Sequence, residues 1–172
     1  MGDGKKLYFA TMNVGETSPA GFGSKVYRWG ATVEDGDYWA PDSYTGESGW
    51  PSGMKLDAAH DIATITWGEK WHIPSPEEWN LLVAKCDYER KEANESGYGV
   101  AGYFFYNKKD RSKFIFLPVS TWSGELAYWT SEICEFTSAH TFRSHSNGEV
   151  GCLGWIAGIE STGFAIRPVF VE

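Results

Sequence analysis

Apolar positions along this chain fall mostly into short runs separated by glycine-rich and polar connections, a pattern of strands and loops more than of long helices. Residues 7–14 alternate weakly and predict a first strand that Gly15 ends. After a turn at residues 21–24, residues 26–30 predict a second short strand or buried extended segment. Residues 32–54 are Gly, Asp, Ser and Pro with Tyr38, Trp39, Tyr44 and Trp50 among them, a long loop whose rings should pack it down. Asp57 is placed to cap a short helix over residues 58–66, closed by Trp67 and Gly68. The clearest local signal follows: Ser75, Pro76 and Glu78 form a capping box with proline at the first helical position. Trp79, Leu82, Val83 and Cys86 then recur on one face, which predicts a helix of about eleven residues. A polar stretch, residues 87–99, precedes a hairpin of residues 100–106 and 113–117 joined by residues 107–112, and Pro118 stops its second strand. Two aromatic, strand-like segments, at Tyr128 and Trp129 and at residues 163–169, bracket residues 132–162, which follow no clear period. Two readings of that bracketed run stand: surface loops with an edge strand, or a binding face displayed by a rigid frame.

Composition narrows the class. A chain of 172 residues suits one domain, residues 1–172 with 1–6 as a flexible or appended start, and can bury a core of its own. Aromatics at 16% beside 20 glycines predict a loop-rich fold in which large rings fill space between short elements. The net charge of -8, with no Lys/Arg stripe, excludes nucleic acid as the expected partner. No run approaches the roughly 18 apolar residues of a membrane span, and the first six residues carry no apolar leader.

Motifs of catalysis are missing from the sequence. It has no GxSxG elbow, phosphate-binding glycine loop or acidic calcium loop, and three cysteines without a CxxC pair indicate no zinc cluster. Cys86 reads as a buried thiol on the helix face, and Cys134 and Cys152 could pair. His72 reads as a hydrogen-bonded core residue, Glu77 and Glu78 as capping residues, and Asp57, His60 and Asp61 as a capping and surface set before a cation site. The expectation is a non-enzymatic binding module without metal or cofactor. Its candidate contacts mix apolar anchors with orienting polar groups: Glu132, Ile133, Glu135, Phe136, His140, His145, Leu153, Trp155 and Ile156, with Trp155 the leading anchor.

Several blocks occur in an order that carries a resemblance: Thr11-Met12-Asn13-Val14-Gly15, Tyr27-Arg28-Trp29-Gly30, Trp67-Gly68-Glu69-Lys70-Trp71-His72-Ile73-Pro74-Ser75, Tyr128-Trp129-Thr130-Ser131 and Gly163-Phe164-Ala165-Ile166-Arg167-Pro168-Val169. Together they resemble the Fibrobacter succinogenes major paralogous domain family, abundant in Bacteroidetes, over residues 7–169. The resemblance implies an α+β, C-type-lectin-like fold of the formylglycine-generating-enzyme type, with short twisted antiparallel sheets, about two helices and long irregular loops. It implies a secreted or cell-surface protein of adhesin or receptor type that holds a protein or a glycan. Alternatives within the resemblance are a variable protein diversified by a retroelement between the Tyr128-Trp129 and Arg167-Pro168-Val169 blocks, a degenerate enzyme relative, and a structural pilus-associated module. Adenine mutagenesis of AAC or AAT codons reaches neither Trp nor Glu, so Trp155, Glu132, Glu135, Glu149 and Glu160 are either fixed positions or marks of a chain never diversified.

Overall fold

The computed structural model describes residues 6–21, 25–34, 36–37, 52–135, 138–152, 156–159 and 162–172. Among these residues the chain forms two helices and ten strands, and the strands pair antiparallel. Most of the predicted loop at residues 32–54 lies outside the described residues, as do Phe136, Leu153 and Trp155.

The ends of the chain make the first sheet. Strand β1 (Leu7–Phe9) pairs with β10 (Val169–Val171), which pairs in turn with β2 (Trp71–His72). Tyr8 stacks on Phe170 with centroids 4.8 Å apart, and Trp71 meets the same ring edge-on. The first strand is shorter than residues 7–14 because Asn13 bends the chain away: its carbonyl accepts from Glu16 N and its side-chain amide donates to Gly21 O. The second expected strand is a single bridge, Tyr27 to Phe164, since the chain turns back at Arg28 to bury Trp29.

Helix α1 (Ile62–Trp67) starts four residues later than its sequence signal, capped by Asp61 and not by Asp57. The reason is reach. Asp61 accepts from Ala63 N and Thr64 N with one oxygen and from Ile73 N with the other, so it joins the helix to β2. Asp57 closes the preceding turn instead, accepting from Ala59 N and His60 N. Helix α2 (Pro76–Lys85) follows its signal, with Glu78 N donating to Ser75 Oγ and Ser75 N donating back to the Glu78 carboxylate. Its Trp79 is fully buried and stacks on Phe142, centroids 4.1 Å apart. His72 is hydrogen-bonded as expected, its Nε2 lying 3.0 Å from Glu78 Oε1, but it is half-buried and not a core residue; the Glu78 contact raises its pKa.

The second sheet is β3 (Cys86–Lys91), β4 (Gly102–Asn107) and β5 (Asp110–Pro118), in that order. The hairpin turn is tighter than residues 107–112, because Asn107 Oδ1 accepts from Lys109 N and reverses the chain at once. Strand β3 corrects the polar loop expected from residue 87 onward. It continues from the helix without a break and buries only part of Cys86, Tyr88 and Lys91, too little to give an apolar alternation.

The third sheet contains β6 (Ala127–Glu135), β7 (Ser138–Ser144) and β8 (Val150–Gly151), with β9 (Ile156–Gly158) also on β7. The run without a period is therefore largely sheet. A register shift between Trp129 and Ile133 hides the alternation: there β6 takes residues 53–56 as partners, through Ile133 N to Met54 O and Leu56 N to Ser131 O. Tyr128 and Trp129 face opposite sides of β6, one into each of two cores. Trp129 donates to Tyr27 O and Trp29 donates to Thr130 O, so two indoles clasp segments a hundred residues apart. Arg167 is fully buried; its Nη1 donates to Ala10 O at 3.0 Å and its Nη2 to Phe116 O at 3.2 Å. All three cysteines are free, which removes the Cys134–Cys152 pairing.

Candidate functional site

The structure divides the expected binding face. Ile133 is 0% exposed and packs in the core beside Trp129, so it is corrected from contact residue to core residue. Glu132 and Glu135 lie at one end of the third sheet. The Glu132 carboxylate is largely covered and pairs with Lys55 Nζ at 3.6 Å. His140 lies on β7 with its carbonyl accepting from Thr130 Oγ1, and its half-buried ring carries a covered Nδ1 for which the described residues supply no hydrogen-bond partner. Ile156 is in β9, paired with His140. Phe136, Leu153 and Trp155, the expected anchor included, are outside the described residues.

His145 stands apart from these, five residues along β7 from His140 and thus roughly 17 Å away at strand rise. It opens the β7–β8 turn, which is fixed by His145 N to Glu149 O (2.8 Å) and Gly148 N to His145 O (2.9 Å). Gly148 takes φ 86°, a conformation that suits glycine. His145 lines an open groove of about 450 Å³ together with Tyr88, Glu89 and Arg90 of β3, Tyr103 of β4, and Ser123, Gly124 and Glu125 of the preceding connection.

That connection is pre-formed. Ser120 Oγ accepts from Trp122 N and Ser123 N, while Ser120 N donates to Glu125 O and Gly124 N to Ser120 O. The Glu125 carboxylate is held from behind by Arg143 at 3.2 Å. Trp122, next to the groove-lining Ser123, is 95% exposed, the barest large apolar side chain among the described residues. The Tyr106 hydroxyl and Lys91 hold the Glu89 carboxyl below its ordinary range. Serine hydroxyls, the Glu125 carboxylate, the Arg90 side chain and aromatic rings thus meet in one shallow space, while the Glu89 carboxylate turns to the Tyr106 side of the sheet; the set can orient a polar ligand and cover one of its faces.

At Cys86 and Cys152 burial disfavours the thiolate. Burial pushes Cys152 up to about 12, with the Glu77 carboxylate acting in the same direction, and burial also raises Cys86. Among the described residues no group of three His, Cys, Asp or Glu side chains could hold a metal ion, and no helix is long and apolar enough to cross a membrane. Asp61 of the Asp57, His60 and Asp61 set is consumed by its capping bonds, and Asp57 pairs with His60 Nδ1 at 2.7 Å.

Sequence reasoning reached His145 but not its neighbours. Tyr88 and Glu89 lie in the stretch that read as polar linker, and residues 119–127, with Trp122 and Glu125, carry no period. An isolated tryptophan flanked by Ser and Gly was the available signal. The chain matches no protein-family model, no curated protein and no solved structure with which it was compared.

Proposed function

We propose that the protein is a ligand-binding module of C-type-lectin-like fold, acting at the cell surface or after secretion, and that the groove beside His145 holds a glycan. The observation that carries this reading is the groove's composition, the Glu125 carboxylate and serine hydroxyls beside tyrosine rings, with the exposed Trp122 next in sequence to the groove-lining Ser123. Sugar hydroxyls pair with Glu125 and Ser123, and the flat apolar face of a sugar ring covers Trp122. The ordered blocks that resemble the Fibrobacter succinogenes major paralogous domain family support the fold assignment and the binding role. No chemical step is required of the site.

A glycan array with wild type, Trp122→Ala and Glu125→Gln tests the reading. Wild type should retain a defined set of glycans, and each variant should bind that set at least ~10-fold more weakly, the effect of about 1.4 kcal/mol at a contact residue. Trp122 is exposed, so Trp122→Ala should leave thermal melting unchanged, while Glu125→Gln gives up the ion pair with Arg143 and should lower the melting temperature only slightly. Wild type that retains no glycan, or variants that bind as wild type does, would sink the proposal.

A further inference from the structure

Two of the sheets end on strands that face a common groove. The first sheet stops at β1 and the second at β5, and a groove of about 550 Å³ is lined by both. Its floor is apolar, built from Leu81 and Leu82 of α2, Cys86 at the start of β3 and Phe105 of β4.

Hydrogen-bond alternation shows which backbone groups point into it. Lys6 and Glu172 exchange both of their hydrogen bonds, at 3.1 and 2.9 Å. Leu7 and Phe9, opposite Val171 and Val169, therefore occupy non-hydrogen-bonded pairs and turn their N–H and C=O groups away from β10. On β5, Val119 N donates to Ala101 O, which sets Phe114 and Phe116 as the residues whose groups turn away from β4. One end of the gap is already closed. Arg167 ties the two sheets together there, donating to Ala10 O, which faces a Pro168 that has no N–H to offer it, and to the outward-turned Phe116 O. Beyond that staple, the outward groups of Leu7, Phe9 and Phe114 have no hydrogen bond among the described residues.

Charge identifies the occupant. In a chain of net charge -8 the groove is lined by Lys6, Lys85 and Lys113 and by no carboxylate; Glu172 and Asp110, outside the lining, pair with Lys6 at 4.0 Å and Lys113 at 3.3 Å in exposed pairs that an incoming acid can replace. Lysines on open strand edges repel like edges. The same lysines attract a strand that brings acid. We propose that the groove accepts an extended segment of a partner protein, alternating apolar and acidic residues, which adds as a strand alongside β1 and β5 with its apolar side on α2.

The test uses the whole chain and synthetic heptapeptides that alternate Val, Ile, Leu or Phe with Glu or Asp, set against a matched series carrying Lys. Binding is followed by fluorescence anisotropy and by amide hydrogen exchange. Members of the acidic series should bind saturably, slow exchange at Leu7, Phe9 and Phe114 by ~10-fold or more, and lose that effect when alternate peptide nitrogens are methylated. Lysine peptides, and the exposed double variant Lys85→Glu/Lys113→Glu with acidic peptides, should bind ~10-fold more weakly. Three outcomes overturn the proposal: no acidic member binds; methylated peptides bind equally, which marks an apolar pocket only; or protection appears without peptide and grows with protein concentration, which marks a second copy as the occupant.

Discussion

Cys152 illustrates how little of a residue's chemistry its identity fixes. A thiol is a nucleophile only as thiolate, and here burial first, then the Glu77 carboxylate, hold the proton on. The sign of the stability effect follows. The folded state binds this proton more tightly than the unfolded chain, whose thiol titrates near 9.0, so the contribution is complete below that pH and is lost as pH rises toward about 12. Urea midpoints should therefore fall more steeply over that range for wild type than for Cys152→Ala; parallel curves would show that the thiol is not held protonated. At the same scale, Ile133 and His145 looked alike in the sequence, both members of an unpatterned run. The fold sends one into the core and the other to a turn, and the cause lies in strand register, which neither residue carries.

Elements were legible where their signals are local. The Ser75, Pro76 and Glu78 box acts within one turn of chain, and α2 begins where it says. Removing its cap should cost about 1 kcal/mol, so Ser75→Ala should lower the urea midpoint modestly with an unchanged m-value. A loss below ~0.3 kcal/mol would mean that Glu78, tied to His72 as well, holds the helix start alone. The same logic misplaced α1, because Asp57 and Asp61 are equally good caps until Ile73 arrives from outside to choose between them. Strand β3 was invisible for a related reason: its partner β4 supplies the apolar surface, and β3 itself packs only Cys86 and Tyr88 against the core, too few for an alternation of its own. Residues 132–162 failed as a pattern because β6 shifts register against β7 between Trp129 and Ile133 and there gains residues 53–56 as a further partner.

Across the whole molecule, two of the ordered blocks, that of Tyr128 and that of Arg167, meet at the buried guanidinium. Tyr128, whose hydroxyl donates to Pro118 O, lies beside the guanidinium, and Ala10 and Phe116 lend their carbonyls. Burial lowers the Arg167 pKa from its ordinary value. Its carbonyl partners belong to two sheets, so Arg167→Met should leave those oxygens unpaired and cost about 3–5 kcal/mol, measured as unfolding free energy. A cost under ~1 kcal/mol would show that the sheets hold together without it. This convergence could not be read from the blocks themselves, which fix residue order but not which carbonyl each donor finds. The central place of β10 also sets a clock. Residues 169–171 lie between β1 and β2, so the first sheet cannot form until nearly all of the sequence is available, and β1 must wait through the synthesis of almost every residue between. Such long-range closure belongs to slow folding, and it leaves the β1 edge and the apolar side of α2 uncovered in a nascent chain for as long as synthesis lasts.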